Sequence, residues 1–285
     1  MKDSAKRATI LGIIGNTVLF ILKIFIGIAY NSIAVISDAI NSFTDIIASV
    51  IVFISVKVSA KRADKEHPFG HHRAEPIAGL VVAIFIGIVG FEVINAAFNR
   101  VINGGAIIKG VAPMIVIGFT LVLKFFMYLY VVKVGKKIKS TALLASATDH
   151  RNDVLISFAA LIGVGGAYFG YVMLDPLVAF VIGVWIIYAG YKIGVDNVKY
   201  LIGEAPSDEL MSKIKKIAVE VKGVKGVNDV RAHYVGVLLH AEVHIEVDRK
   251  LTIYRAHTIG KNAQRKIEKL PEVNKAFVHI DPVSH

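Results

Sequence analysis

Between Ala8 and about Lys199 the sequence presents six apolar runs, each longer than the roughly 20 residues that a helix needs to cross a bilayer. In lipid every backbone N–H and C=O must be paired within its own segment, so these runs are expected to be helices. They cover residues 8–30, 33–58, 76–98, 111–134, 142–168 and 176–199. The first is longer than a signal-peptide core and reads as an uncleaved membrane helix. Positive charge gathers at Lys2, Lys6 and Arg7, in the 59–75 loop, at Lys133, Lys136, Lys137 and Lys139, and after the sixth run. The alternate connections hold little beyond Arg100 and Lys109. By the positive-inside rule both termini lie in the cytoplasm, as expected of a multi-pass protein of the cell membrane.

From Ala205 the character changes. Pro206, Ser207 and Asp208 look like a helix start, followed by an amphipathic helix over 208–221, strands over 227–234 and 237–247, a helix over 254–270 and a strand over 273–280. The fold class expected is an α-helical membrane protein with six transmembrane helices in residues 1–204, plus a C-terminal cytoplasmic α+β domain in residues 205–285. Its order α-β-β-α-β is that of a ferredoxin-like or metallochaperone-like sheet covered by helices on one face. About 80 residues bury only a modest core, so dimerisation would help this domain, which reads as a regulatory and dimerisation unit.

The net charge of +11 would suit nucleic acid, but the basic residues flank the apolar runs, where topology explains them, and no base-reading helix appears. With no cysteine in the chain, any metal chemistry must use oxygen and imidazole.

The chemistry sits where it is most expensive. The second run carries SDAINSFTD, residues 37–45, placing Asp38, Asn41 and Asp45 on one helical face at membrane depth; the fifth carries Asp149 and Asp153, also one turn apart. Packed together, Asn41, Asp45, Asp149 and Asp153 offer up to four oxygen donors. Three carboxylates brought together repel unless protons or a cation neutralise them, so the set reads as a divalent-cation site rather than as simple hydrogen bonding between helices. Asp38 is open between ligand, proton carrier and packing anchor. His150 follows Asp149, but one residue along a helix turns it by about 100° from that face. Lys23 and Lys124 are read as snorkelling or paired, and Gly163, Gly165 and Gly166 as allowing close helix packing.

Taken together, the six runs, SDAINSFTD, HPFGHHRAEP in the following loop, DHRND in the fifth run and VHIDP near the end resemble the cation diffusion facilitator transporters, and the manganese-like subgroup in particular. The resemblance implies a homodimeric exporter, not an enzyme, that exchanges cytoplasmic divalent metal for protons by alternating access. Asn41, Asp45, Asp149 and Asp153 match the family's transport site. Zinc-transporting members usually have His where this chain has Asp149, and an all-oxygen set suits harder ions, so Mn2+ is expected, with Fe2+ or Zn2+ as alternatives. Asp45, Asp149 and Asp153 are the candidate proton acceptors, because proton and metal compete for the same oxygens.

Two further sets are implied. Asp64, His67 and His71, around the Pro68-Phe69-Gly70 turn, match a loop-borne metal site, and Arg73 matches a basic residue that helps lock the helices to the soluble domain, with Glu204 as its partner. His244, His257, His279 and Asp281 match a cytoplasmic-domain site. His240 lies on the same alternating strand, and His233 is displaced from the first ligand position, to which Asn228 is nearer. Readings from other classes are a passive cation channel, whose pore the same carboxylates would line, and a membrane-anchored metal sensor. An intramembrane metalloprotease is disfavoured because HExxH is absent.

Overall fold

The computed structural model of the chain describes residues 2–59, 61, 63–104, 108, 110–138, 141–236 and 238–283. Gly105, Lys109 and Lys139 of the connections, and the side chains of Lys2, Lys6, Arg7 and Lys137, lie outside the described residues. The elements run α1 (Lys2–Ala29), α2 (Ile33–Ser59), α3 (Ala74–Ile102), α4 (Ala112–Ile138), α5 (Thr141–Tyr168), α6 (Leu174–Ile202), α7 (Asp208–Val219), β1 (Val224–Val235), β2 (Leu238–Val247), α8 (Ile253–Ile267) and β3 (Val273–Pro282). They form two compact units, one of residues 1–51 and 81–193, the other of 52–80 and 194–285.

The first unit is a bundle of α-helices. Ala34, Val35, Val82, Ile86, Ile117, Ile156, Val164, Ile182 and Ile186 pack at its centre. Phe91, Phe98, Ile115, Phe119, Phe126, Phe180 and Val181 stand exposed on its outside. A surface as apolar as the interior is what lipid requires and what water would punish. Among the described residues, 33–51, 74–102, 112–134 and 174–202 are long and apolar enough to span a membrane. The described apolar part of α1 is the shorter 14–29. α5 carries Asp149, Arg151 and Asp153 in its first half, which lowers its hydropathy. The six long helices α1–α6 correspond to the six apolar runs of the sequence.

Local chemistry sets the approach of these helices. Between α1 and α2, Asn31 takes a left-handed conformation, φ 54°, of the kind asparagine tolerates best after glycine. α5 and α6 meet over glycine: a Cβ on Gly166 would come within 2.9 Å of Leu174 Cβ, and one on Gly163 within 3.0 Å of Val178 Cβ. Gly165 has only Met114 near it, at 3.7 Å, so the third glycine of that stripe is not required by packing.

In the second unit the sheet has the order β1-β2-β3, with β1 and β2 antiparallel and β2 and β3 parallel through the α8 crossover. Leu239, Ala241, Val243 and Ile245 alternate onto the covered face and are fully buried against Ile214 and Ala218 of α7 and Ala263 and Ile267 of α8. The opposite face carries His240, Glu242, His244 and Glu246. Ser207 caps α7 by accepting from the Leu210 N–H, and Thr252 caps α8 by accepting from the Arg255 N–H. The α2–α3 connection belongs to this unit and lies across the β1–β2 turn. Gly236 there has φ 70°, and a Cβ on it would strike the backbone of His72.

Candidate metal sites

Asn41, Asp45, Asp149 and Asp153 line one cavity of about 270 Å³ among α1, α2, α3, α5 and α6, together with Asn16, Thr44, Ser49, His150, Asn152 and Trp185. Asn41 and Asp153 are buried, Asp45 is half-buried and Asp149 is exposed, so the donor set grades from the protein interior outward. Asn41 Nδ2 donates to Asp153 Oδ1 at 3.1 Å, the contact that joins the two helices of the expected set. The three carboxylates face the same space without closing into a tight chelate. Among the described residues, only two other groups of three or more ligands gather within 4.8 Å of one another.

The charges on Asp153 and Asp38 are answered by lysines. Lys124 of α4, with no exposed surface, places Nζ 2.5 Å from Asp153 Oδ2 and 2.6 Å from Asn16 Oδ1. Lys23 of α1, equally buried, lies 3.0 Å from Asp38 Oδ2 and donates to Ser42 Oγ at 3.0 Å, while Ser157 of α5 donates to the same carboxylate at 3.2 Å. Asp38 is thereby held as an anchor of α1, α2 and α5. A buried carboxylate needs such compensation, and that need is the signal by which sequence reasoning pairs these lysines with acids, though not with which ones.

Asp175 is a residue the sequence reading passed over. It stands at the start of α6, accepts from the Ile33 N–H at 2.9 Å, the Ala34 N–H at 3.3 Å and Ser32 Oγ at 2.5 Å, and so caps the N-terminus of α2 from another helix. An acid in the first turn of a helix carries no sequence mark of this role.

His150 departs from expectation in the other direction. It is buried and lines the cavity, with Nδ1 3.9 Å from Asp153 Oδ2. The reason is helical geometry: measured from Asp153, the i−4 and i−3 positions lie about 40° to one side and about 60° to the other, so Asp149 and His150 flank the same face.

The loop residues form a compact group. His67 Nδ1 is 3.3 Å from Asp64 Oδ1, His71 Nε2 is 3.4 Å from Asp64 Oδ2, and the two imidazoles lie tilted by 42° with centroids 4.3 Å apart. The turn places them: Asp64 Oδ1 accepts from the backbone N–H groups of Glu66 and His67, and His67 O accepts from the Gly70 N–H. The His67 N–H holds the Asp64 carboxyl below the usual carboxylate range, with His71 adding to the effect. An ionised carboxylate with two imidazoles is a ready set for a divalent ion.

On the open sheet face, His244 and His279 are register partners on β2 and β3, their rings 4.7 Å apart. Asp281 joins them, 3.5 Å from His244 Nδ1 and 3.2 Å from His279 Nε2, and accepts from Asn228 Nδ2 at 3.3 Å. Of the other residues expected there, His257 is exposed on α8 outside this group. His233 and His240 are cross-strand partners four residues along, and they face a different cavity with Phe69, Arg73, Arg231 and Phe277. Burial, followed by His233, His72 and Arg73, pushes the His240 imidazole down from its ordinary pKa and favours its neutral form. Glu204 faces Lys199 at 3.6 Å rather than Arg73.

Residues 9–202 match the cation efflux transmembrane domain, and residues 206–283 match the cation efflux protein cytoplasmic domain. An uncharacterised transporter of Methanocaldococcus jannaschii is 36% identical over 283 residues, covering 98% of each chain. The manganese efflux system protein MneS of Bacillus subtilis is 32% identical, covering 98% of this chain and 96% of its own. The manganese efflux system protein MneP of the same organism is 29% identical, with the same shares covered. With both domains matched in order over nearly its whole length, the chain belongs to the cation efflux family, the cation diffusion facilitators, a family of divalent metal transporters.

Proposed function

We propose that the protein exports Mn2+ in exchange for protons, working as a homodimer in the cell membrane with both termini in the cytoplasm, and that Asn41, Asp45, Asp149 and Asp153 hold the transported ion. The observation that carries this reading is the donor set around the cavity, one amide and three carboxylates. Its oxygens suit a hard divalent ion, and the relatives MneS and MneP are named for manganese efflux.

The charges of the cavity fit a single divalent ion. Three carboxylates less the Lys124 ammonium leave two negative charges. Asp153 is satisfied by Asn41 and Lys124. An entering ion has to take over both carboxylate oxygens, which turns the Asn41 amide so that its oxygen faces the metal, and loosens the tie between α2 and α5 through Asn41. Protons arriving at the same oxygens expel the ion, so metal and proton occupy the site alternately. Asp64, His67 and His71, and separately His244, His279 and Asp281, are proposed as cytoplasmic metal sites that report metal supply to the transporter.

The test is metal flux in proteoliposomes under an imposed pH gradient. Uphill Mn2+ movement that follows the proton gradient and is lost in Asp45→Ala is the expected result. Flux indifferent to the gradient would identify a passive channel, and metal binding without flux a sensor. Stronger competition by Fe2+ or Zn2+ than by Mn2+ would reassign the ion.

A further inference from the structure

We infer that His150 Nδ1 is a further donor to the transported ion, sharing it with Asp153, so that the transport site is a mixed oxygen–nitrogen site able to take borderline divalent ions as well as hard ones. The inference rests on the transport-site reading above.

His150 retains 6% of its surface exposed, and its Nδ1 has no hydrogen-bond partner among the described residues. Buried polar atoms almost always have one, since leaving them unpaired costs desolvation without return. Asp153 Oδ2, 3.9 Å away, is too far for a hydrogen bond. It is not too far for a shared ion: two bonds of about 2.1 Å to one metal span up to about 4.2 Å. The spacing therefore accommodates a cation between the two atoms with modest closure. The ring is also placed for that task, because it lines the same cavity as Asn41, Asp45 and Asp149.

Asp153 Oδ2 is now held by Lys124, whose ammonium is completed by Asn16 Oδ1. That oxygen already receives a cation. A divalent ion that displaces the ammonium from it finds an unengaged imidazole nitrogen on the next face of the same helix. Nitrogen donation of this kind favours zinc-like ions over manganese relative to an all-oxygen set. Asp149 in place of a histidine then does not remove imidazole from the site; it moves the imidazole one residue along.

The experiment uses full-length protein in which His67, His71, His244 and His279 are alanine, so that Mn2+ reports the membrane site. Electron spin echo modulation of bound Mn2+ is read for 14N coupling, alongside Mn2+ and Zn2+ affinities. The parent is expected to show imidazole coupling. His150→Gln should lose it and weaken Zn2+ binding by at least the ~10-fold that loss of a mere supporting contact costs a metal site. Mn2+ binding should weaken less. His150→Asn, whose amide oxygen falls near the Nδ1 position, should lose the coupling yet bind more tightly than His150→Gln, which separates a ligand from a packing residue. Coupling that is absent in the parent, or unchanged in His150→Gln, overturns the inference, as does equal weakening by the two variants. If Asp45→Ala abolishes binding while His150→Gln changes nothing, the inference alone fails. If Asp45→Ala leaves binding and coupling intact, the ion is held elsewhere and the transport-site reading falls, taking the inference with it.

Discussion

Asp153 is held from two directions, by Asn41 on one oxygen and Lys124 on the other, with His150 beyond hydrogen-bonding reach. The lysine is the partner with the largest consequence. Removing one member of a buried ion pair leaves an uncompensated charge and typically costs about 3–5 kcal/mol. Lys124→Met should therefore lower the Tm of the metal-free protein. Mn2+ supplies the missing positive charge, so it should raise the Tm of this variant by more than it raises that of the unaltered chain. Equal increments in a melting experiment would show that ammonium and metal do not compete for Asp153. Of this arrangement, the sequence shows the two acids one turn apart and a lysine at membrane depth. It does not show the pairing, because which of two buried lysines meets which acid depends on how α1 and α4 are rotated.

At the scale of the elements, the helices start and stop close to where hydropathy and charge place them. α4 begins at Ala112 against an expected 111, and α6 reaches Ile202 against an expected 199. Apolar runs of fixed length in lipid leave little freedom, which is why these bounds are legible. The connection between α2 and α6 is not. Asp175 serves as a cap for a helix more than a hundred residues earlier, gathering three donors that would otherwise lie unpaired in a buried position. Asp175→Ala should cost about 2–4 kcal/mol, since a carboxylate and three buried donors lose one another, while Asp175→Asn should recover part of the loss. Unfolding in detergent followed by the single tryptophan, Trp185 of α6, would measure this, and an unchanged midpoint would remove the cap from the account. On the sheet, the alternation over 239–246 sorted its faces correctly from sequence, because period two is a property of the strand itself. The partition of the histidines was set by pairing. Register brings His279 to His244 and His240 to His233, and leaves His257 on a helix away from both.

For the whole molecule, three groups of candidate ligands occur at separate places among the described residues. They are the membrane cavity, the Asp64-His67-His71 group in the α2–α3 connection, and the His244-His279-Asp281 group on the sheet. If each takes an ion, then equilibrium dialysis of the metal-stripped full-length protein against Mn2+ should give a stoichiometry that falls by about one per chain in His279→Ala, and again by about one in Asp64→Ala. A stoichiometry insensitive to either change would restrict metal binding to the membrane. Competition with protons should also separate the groups. The Asp64 carboxyl is held below its ordinary pKa, so it stays ionised, and its turn intact, until the pH falls through that lowered value. The loop group should therefore keep its carboxylate donor on acidification until that value is passed. By itself the sequence determined the membrane class, the six helices, the trailing α+β domain and the oxygen donors of the cavity, because hydropathy, helical spacing and strand alternation are local properties of the chain. Only the tertiary structure decided the pairing of Lys124 with Asp153 and of Lys23 with Asp38, the capping of α2 by Asp175, the inward turn of His150, and which histidines meet on the sheet. Each of these depends on the rotation of one element against another, and that rotation is settled by packing and charge compensation over the whole fold.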